Sequence, residues 1–297
     1  MTGQTVILAR KRSHLSPSVM RLCRMARIIH PFPTLLNVAA TAALAFVAEK
    51  GRPDAGVVVR MLALMFCAQS AIGVVNDYFD RDLDAATKPW KPLAAGLVSP
   101  AVALVLAALL IAVTSGIGVS LGPASLALAL LGLASGLIYD ARLKRMPLSP
   151  LPFMVGITTL PLWVWVTLGE WDAALWWLLP LGSLIGFALH LANTVPDIDG
   201  DAANGVRGLA HRLGARRSMH AGWASFGGAL ALSALLIALL DYDLRVYLPA
   251  IAAGSACLAA SIFLYLRRRD AWSLQFGFGA LGIGAAILAA GWLAAVG

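Results

Sequence analysis

Nine apolar runs, each close to the length that crosses a bilayer, dominate this sequence. They lie near residues 33–49, 56–77, 99–119, 123–139, 150–168, 173–195, 218–240, 246–266 and 271–296. A helix spanning hydrocarbon needs about 20 mainly apolar residues. With 60% of residues hydrophobic and 13% charged, too few polar side chains remain to coat a soluble domain. The expected fold is all-α: a polytopic membrane bundle of nine transmembrane helices, forming a single domain over residues 1–297. The punctuation agrees. Ser99-Pro100 reads as an N-cap followed by Pro at the first helical position. Gly122-Pro123 links two helices tightly, and Gly169–Asp172 and Asp241–Asp243 are short polar turns. Trp171, Trp176 and Trp177 suit a membrane interface.

The net charge of +8 would suit a nucleic-acid partner if it were clustered, but it follows membrane topology. With the N-terminus inside, 19 of the 23 Lys and Arg fall on one side. They occupy the basic segment 1–30 (Arg10, Lys11, Arg12, Arg21, Arg24, Arg27), the 78–98, 140–149 and 196–217 loops, and Arg267–Arg269. Only Lys50, Arg52, Arg60 and Arg245 fall on the other. This positive-inside bias places residues 1–30 in the cytoplasm and the C-terminus outside. A helix over Ser18–His30 is expected on the membrane surface, and no cleavable signal pattern precedes the first run. Cys23, Cys67 and Cys257 have no metal-site spacing, and the last two read as small core residues. The Ala- and Leu-rich composition points to the cytoplasmic membrane of a bacterium.

Against this background two acidic stretches stand out. In Asn76-Asp77-Tyr78-Phe79-Asp80-Arg81-Asp82-Leu83-Asp84, the residues Asn76, Asp80 and Asp84 are spaced four apart. Downstream, Asn193, Asp197 and Asp201 repeat that spacing. On a helix each set lies along one face. The two triplets are offset by 117 residues, Pro31-Phe-Pro33 and Pro150-Leu-Pro152 by 119, and Lys91-Pro-Leu-Ala and Arg207-Gly-Leu-Ala by 116. The bundle is thus expected as two pseudo-repeated four-helix halves plus one helix, with the triplets facing each other across a cavity.

Acids near lipid are costly, face a bundle interior or water, and usually mark function. Carboxylates and an amide oxygen are hard ligands that suit Mg²⁺, which completes its shell with water and substrate phosphates. Lys88, Lys91, Arg142, Lys144, Arg145, Arg207 and Arg212 share that side and offer phosphate contacts; each also serves the positive-inside charge. The constellation fits a lipid diphosphate.

The stretch Asn76–Asp84 resembles the NDxxDxxxD signature of the UbiA-type intramembrane prenyltransferases, and Asp197–Asp201 resembles their DxxxD motif. Lys88-Pro-Trp-Lys91-Pro92-Leu93-Ala-Ala-Gly96 is similar to the basic run after the first motif, Tyr139 with Lys144 to the family's Tyr/Lys loop, and Arg207 with Leu213-Gly214 to the tail of the second motif. The resemblance covers about residues 25–295. It implies two Mg²⁺ ions bridging the motifs and a prenyl diphosphate. Asn76, Asp80 and Asp84 would serve one ion and Asp197 and Asp201 the other, with Asn193 in support. Asp77 would be a ligand or stand behind the ligands. Lys91, Lys144 and Arg207 would contact diphosphate, with Lys88 and Tyr139 beside them. Lys144 lies five residues after Tyr139, where the family often has four, which leaves Arg142 as an alternative. Gly208 stands where Thr is common, and His30-Pro31 where many members have Arg-Pro.

The chemistry expected is ionisation of an allylic diphosphate, with cations stabilising the leaving group and a water-poor cavity protecting the carbocation. Tyr78, Phe79, Tyr139, Trp163, Trp165 and Phe187 could face that cation or simply pack. His190 lies three residues before Asn193 on the motif's face. It would orient an acceptor, take its proton, or join helices as a polar partner; Asn37 is a similar case. The expected activity is transfer to an aromatic or lipid-alcohol acceptor in the bilayer. The alternatives are an intramembrane terpene cyclase and a cation or lipid transporter, the latter disfavoured because the acids occupy one face only.

Overall fold

The computed structural model describes residues 17–203, 205–240, 242–268 and 270–296. Arg10, Lys11, Arg12, Asp241, Arg269 and Gly297 lie outside the described residues.

The described residues fold into helices joined by short turns and loops. A short α1 (Pro17–Met25) and a 3₁₀ turn lead into α2 (Pro31–Ala48), α3 (Ala55–Thr87), α4 (Pro100–Leu121), α5 (Pro123–Ala141) and α6 (Leu151–Leu168). A second set follows: α7 (Leu178–Thr194), α8 (Ile198–Ala203), α9 (Leu209–Leu213), α10 (Ala215–Leu236), α11 (Leu244–Arg267) and α12 (Ala271–Val296). Among the described residues, nine helical segments are long and apolar enough to cross a membrane, and each coincides with an expected run. The chain is an integral membrane protein.

Local chemistry sets the boundaries. The Asp54 carboxylate accepts from the Val57 N–H at 2.8 Å and opens α3. Ser99 does the same for α4, with Pro100 behind it. The largest departure from expectation is at the end of α3. The apolar run stops near residue 77, yet the helix continues to Thr87, just before Lys88-Pro89. Its 33 residues span about 50 Å at ~1.5 Å per residue, against ~30 Å of hydrocarbon. The acidic stretch is therefore the protruding last turns of one continuous helix.

Packing joins the helices both within and between the expected halves. In the first, α3 touches α2, α4 and α5; in the second, α7 touches α6 and α10; α6 reaches α2 and α5, and α12 packs on α2, α7 and α11. The interior holds large side chains, including Trp163, Phe226, Tyr247, Leu281 and Trp292. Both tryptophans find partners: Trp163 Nε1 donates to Ser125 Oγ at 2.9 Å and Trp292 Nε1 to the Tyr242 hydroxyl at 2.5 Å. In lipid, such hydrogen bonds and close packing carry helix association, because tails are as apolar as the helices. Leu104, Leu109, Val119, Phe263 and Ile283 face outward, as lipid-exposed positions do.

Candidate functional site

At one end of the bundle, where the C-terminal ends of α3, α5 and α7 meet, lies a cavity of about 190 Å³. Asn76, Asp80, Leu83 and Asp84 of α3, Lys88 and Lys91 of the following loop, and Tyr139 of α5 line one stretch of its wall. The rest comes from Lys144, Ser149, His190, Asn193, Thr194, Asp197, Asp201, Val206, Gly208 and His211.

The first acidic motif is braced on every side. Lys144 Nζ pairs with Asp80 Oδ1, with Arg145 Nη2 at 3.7 Å from the same oxygen. Lys91 Nζ bridges Asp84 Oδ2 at 2.7 Å and Asp77 Oδ1 at 2.9 Å. Burial alone would lower the Lys91 pKa, but hydrogen bonds and charges from Asp77 and Asp84 outweigh it and hold the ammonium above the ordinary lysine value. Asn76 Nδ2 donates to Asp140 Oδ1 at 2.8 Å and to Asp80 Oδ2 at 3.2 Å. The contact with Asp140 depends on a close helix approach one turn earlier. A Cβ on Gly136 would lie 2.5 Å from Ile72 Cδ1 and 2.8 Å from its Cγ1, so glycine lets α5 come this near α3 without displacing Ile72.

The second motif is not one helix. Pro196 has no N–H to continue α7, and Val195–Asp197 tightens into a 3₁₀ turn before α8. Asn193, Asp197 and Asp201 nonetheless reach the same cavity. Among the described residues no Lys or Arg lies within ion-pair distance of Asp197 or Asp201; the basic group that does is His211 Nε2, 3.6 Å from Asp201 Oδ2.

A third part of the wall is built around a serine and a histidine. Ser149 Oγ accepts from the Leu209 N–H at 3.1 Å and lies 2.9 Å from His190 Nε2. The His190 ring meets Phe153 and Tyr139 edge-on, with centroids 5.1 and 5.9 Å away.

Eleven of the residues singled out in sequence line this cavity: Asn76, Asp80, Asp84, Lys88, Lys91, Tyr139, Lys144, His190, Asn193, Asp197 and Asp201. Asp77, Arg142 and Arg207 do not. Asp77 turns away from the cavity, 1% exposed, and binds His30 Nε2 at 2.8 Å as well as Lys91. Arg142 caps α5 through its backbone N–H and stays exposed, while the 3₁₀ turn at Leu143–Arg145 swings Lys144 inward. Arg207 is exposed between the inward Val206 and Gly208. Asp140, Ser149 and His211 were not singled out in sequence, and His30 was noted only as standing where Arg is common. Asp140 carried a usable signal, an acid closing an apolar run; Ser149 carried none.

Among the described residues no group of three or more His, Cys, Asp or Glu is placed to hold an ion alone. The donors near the cavity are oxygens, a few to each motif, which suits Mg²⁺: it keeps waters and uses one or two carboxylates with substrate phosphates. The site fits that ion.

The model of the UbiA prenyltransferase family matches residues 36–281. The digeranylgeranylglyceryl phosphate synthase of Natronomonas pharaonis is 34% identical over 197 residues, 65% of this chain and 70% of that protein. The 4-hydroxybenzoate octaprenyltransferase of Yersinia enterocolitica is 30% identical over 213 residues, 65% of this chain and 68% of that one. A UbiA homolog from Archaeoglobus fulgidus, solved bound to DMAPP and Mg²⁺, shares the fold at a TM-score of 0.73 with 16% identity, over 91% of this chain and 98% of that chain.

Proposed function

Because this chain belongs to the UbiA prenyltransferase family, we propose that it moves a prenyl group from a prenyl diphosphate to an aromatic or lipid-alcohol acceptor, releasing pyrophosphate. One observation carries the reading: both acidic motifs and three lysines line a single cavity at the end of a membrane bundle. The Archaeoglobus homolog with bound DMAPP and Mg²⁺ supports the donor, and the two enzymes compared above support the two acceptor classes.

Each residue then has a task. Lys144 and Lys91, already paired with Asp80 and Asp84, and Lys88 beside them, attract the diphosphate and take up charge as the C–O bond breaks. Two Mg²⁺ ions, one on Asn76, Asp80 and Asp84 and one on Asp197 and Asp201 with Asn193 nearby, would supply further charge stabilisation for the leaving group. Asp77 keeps Lys91 in place from behind. Tyr139, with Phe153 against it, offers an aromatic face to a developing allylic cation. His190 serves the acceptor. Arg142 and Arg207 remain at the exposed rim, where they draw anionic lipid. The loop charges orient this end toward the cytoplasm, and a reporter fused after Gly297 is expected outside.

The test gives purified protein a panel of prenyl diphosphates with and without acceptors, with and without Mg²⁺, and follows pyrophosphate and products by mass spectrometry. Transfer requires the diphosphate, the metal and the acceptor together. A cyclic hydrocarbon formed from the diphosphate alone would replace transfer with cyclisation.

A further inference from the structure

Among the described residues, three buried ring nitrogens of the cavity wall find no hydrogen-bond partner: Nδ1 of His190 and both nitrogens of His211. His211 Nε2 is too far from Asp201, at 3.6 Å, for a hydrogen bond. Unpaired buried polar atoms are costly and uncommon. Both histidines line the cavity, and α9, which carries His211, packs on α7, which carries His190. Ser149 ties this corner together by meeting both His190 Nε2 and the Leu209 N–H. The chain makes room for that junction. A Cβ on Gly208 would lie 2.7 Å from the Lys144 carbonyl oxygen and 3.0 Å from Ser149 Oγ, pushing the loop off the serine.

The character of the corner selects its ligand. Imidazoles and a hydroxyl both give and take hydrogen bonds, whereas diphosphate oxygens only accept them and are served by the lysines. A neutral group that also gives and takes is a hydroxyl. The Tyr139 and Phe153 rings beside His190 bring such a hydroxyl next to the aromatic faces assigned to the allylic cation.

We propose that Ser149, His190 and His211 form the acceptor subsite, and that the acceptor is an aliphatic alcohol converted to a prenyl ether. This rests on the transferase reading above and narrows its acceptor. The alcohol oxygen forms a bond to C1 of the prenyl group. The C1–O bond to the diphosphate breaks, and its electron pair leaves on pyrophosphate. The hydroxyl proton passes to the imidazole of His190 and then to solvent. Ether formation releases the proton of the attacking hydroxyl and so places the base at that oxygen, whereas attack by a ring carbon of a phenol releases its proton from that carbon. The step uses the tautomer in which Nε2–H donates to Ser149 Oγ and Nδ1 keeps its lone pair.

The experiment compares a 1-O-alkylglycerol 3-phosphate with 4-hydroxybenzoate as acceptors for the full-length protein with a prenyl diphosphate and Mg²⁺. The expected product is an ether of the glycerol, identified by mass spectrometry and NMR. Ser149→Ala should raise the acceptor KM about tenfold, the loss of one buried hydrogen bond, and leave the Kd for a prenyl thiolodiphosphate unchanged. His190→Gln should lower kcat about a hundredfold, again without changing that Kd. If Ser149→Ala does not fold, His211→Leu carries the same expectation for the acceptor KM. Prenylation of a ring carbon of 4-hydroxybenzoate with no ether formed would overturn the subsite while leaving transfer standing. So would a KM for the prenyl diphosphate that rises in step with that for the acceptor. Absence of Mg²⁺-dependent pyrophosphate release with every acceptor would overturn both readings.

Discussion

The two acidic motifs share residue types and spacing yet meet the cavity in opposite states. On α3, Asp77, Asp80 and Asp84 are buried, lie on one unbroken helix, and are matched by Lys91, Lys144 and Asn76. At the end of α7, Pro196 breaks the helix, Asp197 is exposed, and among the described residues no lysine or arginine pairs with Asp197 or Asp201. The difference follows from solvation. A carboxylate taken out of water needs a cation beside it, while one that keeps its water does not. The first motif is therefore part of the fold as well as of the chemistry, and the second is left free to receive a cation.

The sharpest way to break this comparison is Asp80→Ala. It removes a proposed ion ligand and strands Lys144, whose side chain is only 9% exposed. Turnover should fall about a hundredfold or more, and stability should fall by about 3 kcal/mol, read as a lowered Tm in detergent. Asp197→Ala should match the loss of turnover, about a hundredfold, with an unchanged Tm. Equal Tm losses in the two variants would erase the distinction between the motifs.

A smaller effect concerns pH. Folding raises the Lys91 pKa, so its contribution to stability is complete below the ordinary lysine value of 10.5 and is lost as pH rises through the folded value. Thermal melts of the wild type should show an added alkaline destabilisation above that point. Lys91→Met, less stable at neutral pH because Asp77 and Asp84 lose their cation, should lack this step. The smallest effect is expected for His30→Ala. Asp77 loses one hydrogen bond but keeps Lys91, which costs about 1 kcal/mol and should lower kcat only a few-fold, measured as initial rates at saturating substrate.

How much could be read beforehand depended on how local each signal was. The nine apolar runs found their helices because hydropathy over one segment is enough to define a span. The continuation of α3 to Thr87 was only half legible: the four-residue spacing of Asn76, Asp80 and Asp84 suits a helix, but the polar turns beyond the apolar run resemble a loop. Arg142 and Lys144 look alike as basic residues of one loop, and the 3₁₀ turn between them decides which one enters the cavity. Asp77 and Asp80 are equally acidic, but a step of three residues around the helix sends one toward His30 and the other toward Lys144.

The amino-acid sequence alone determined the nine spans, the two acidic motifs and the uneven loop charge, because each is carried by neighbours along the chain. Only the tertiary structure decided which cation meets which acid and where the neutral corner lies. Those contacts join residues far apart: Asn76 with Asp140 and Lys144 with Asp80 are 64 residues apart, and Ser149 with His190 are 41 apart. A hydrogen bond forms only when two helices approach to within a side chain's reach. That approach is set by packing such as Gly136 against Ile72, where the absence of a Cβ brings α3 and α5 together one turn from Asn76 and Asp140.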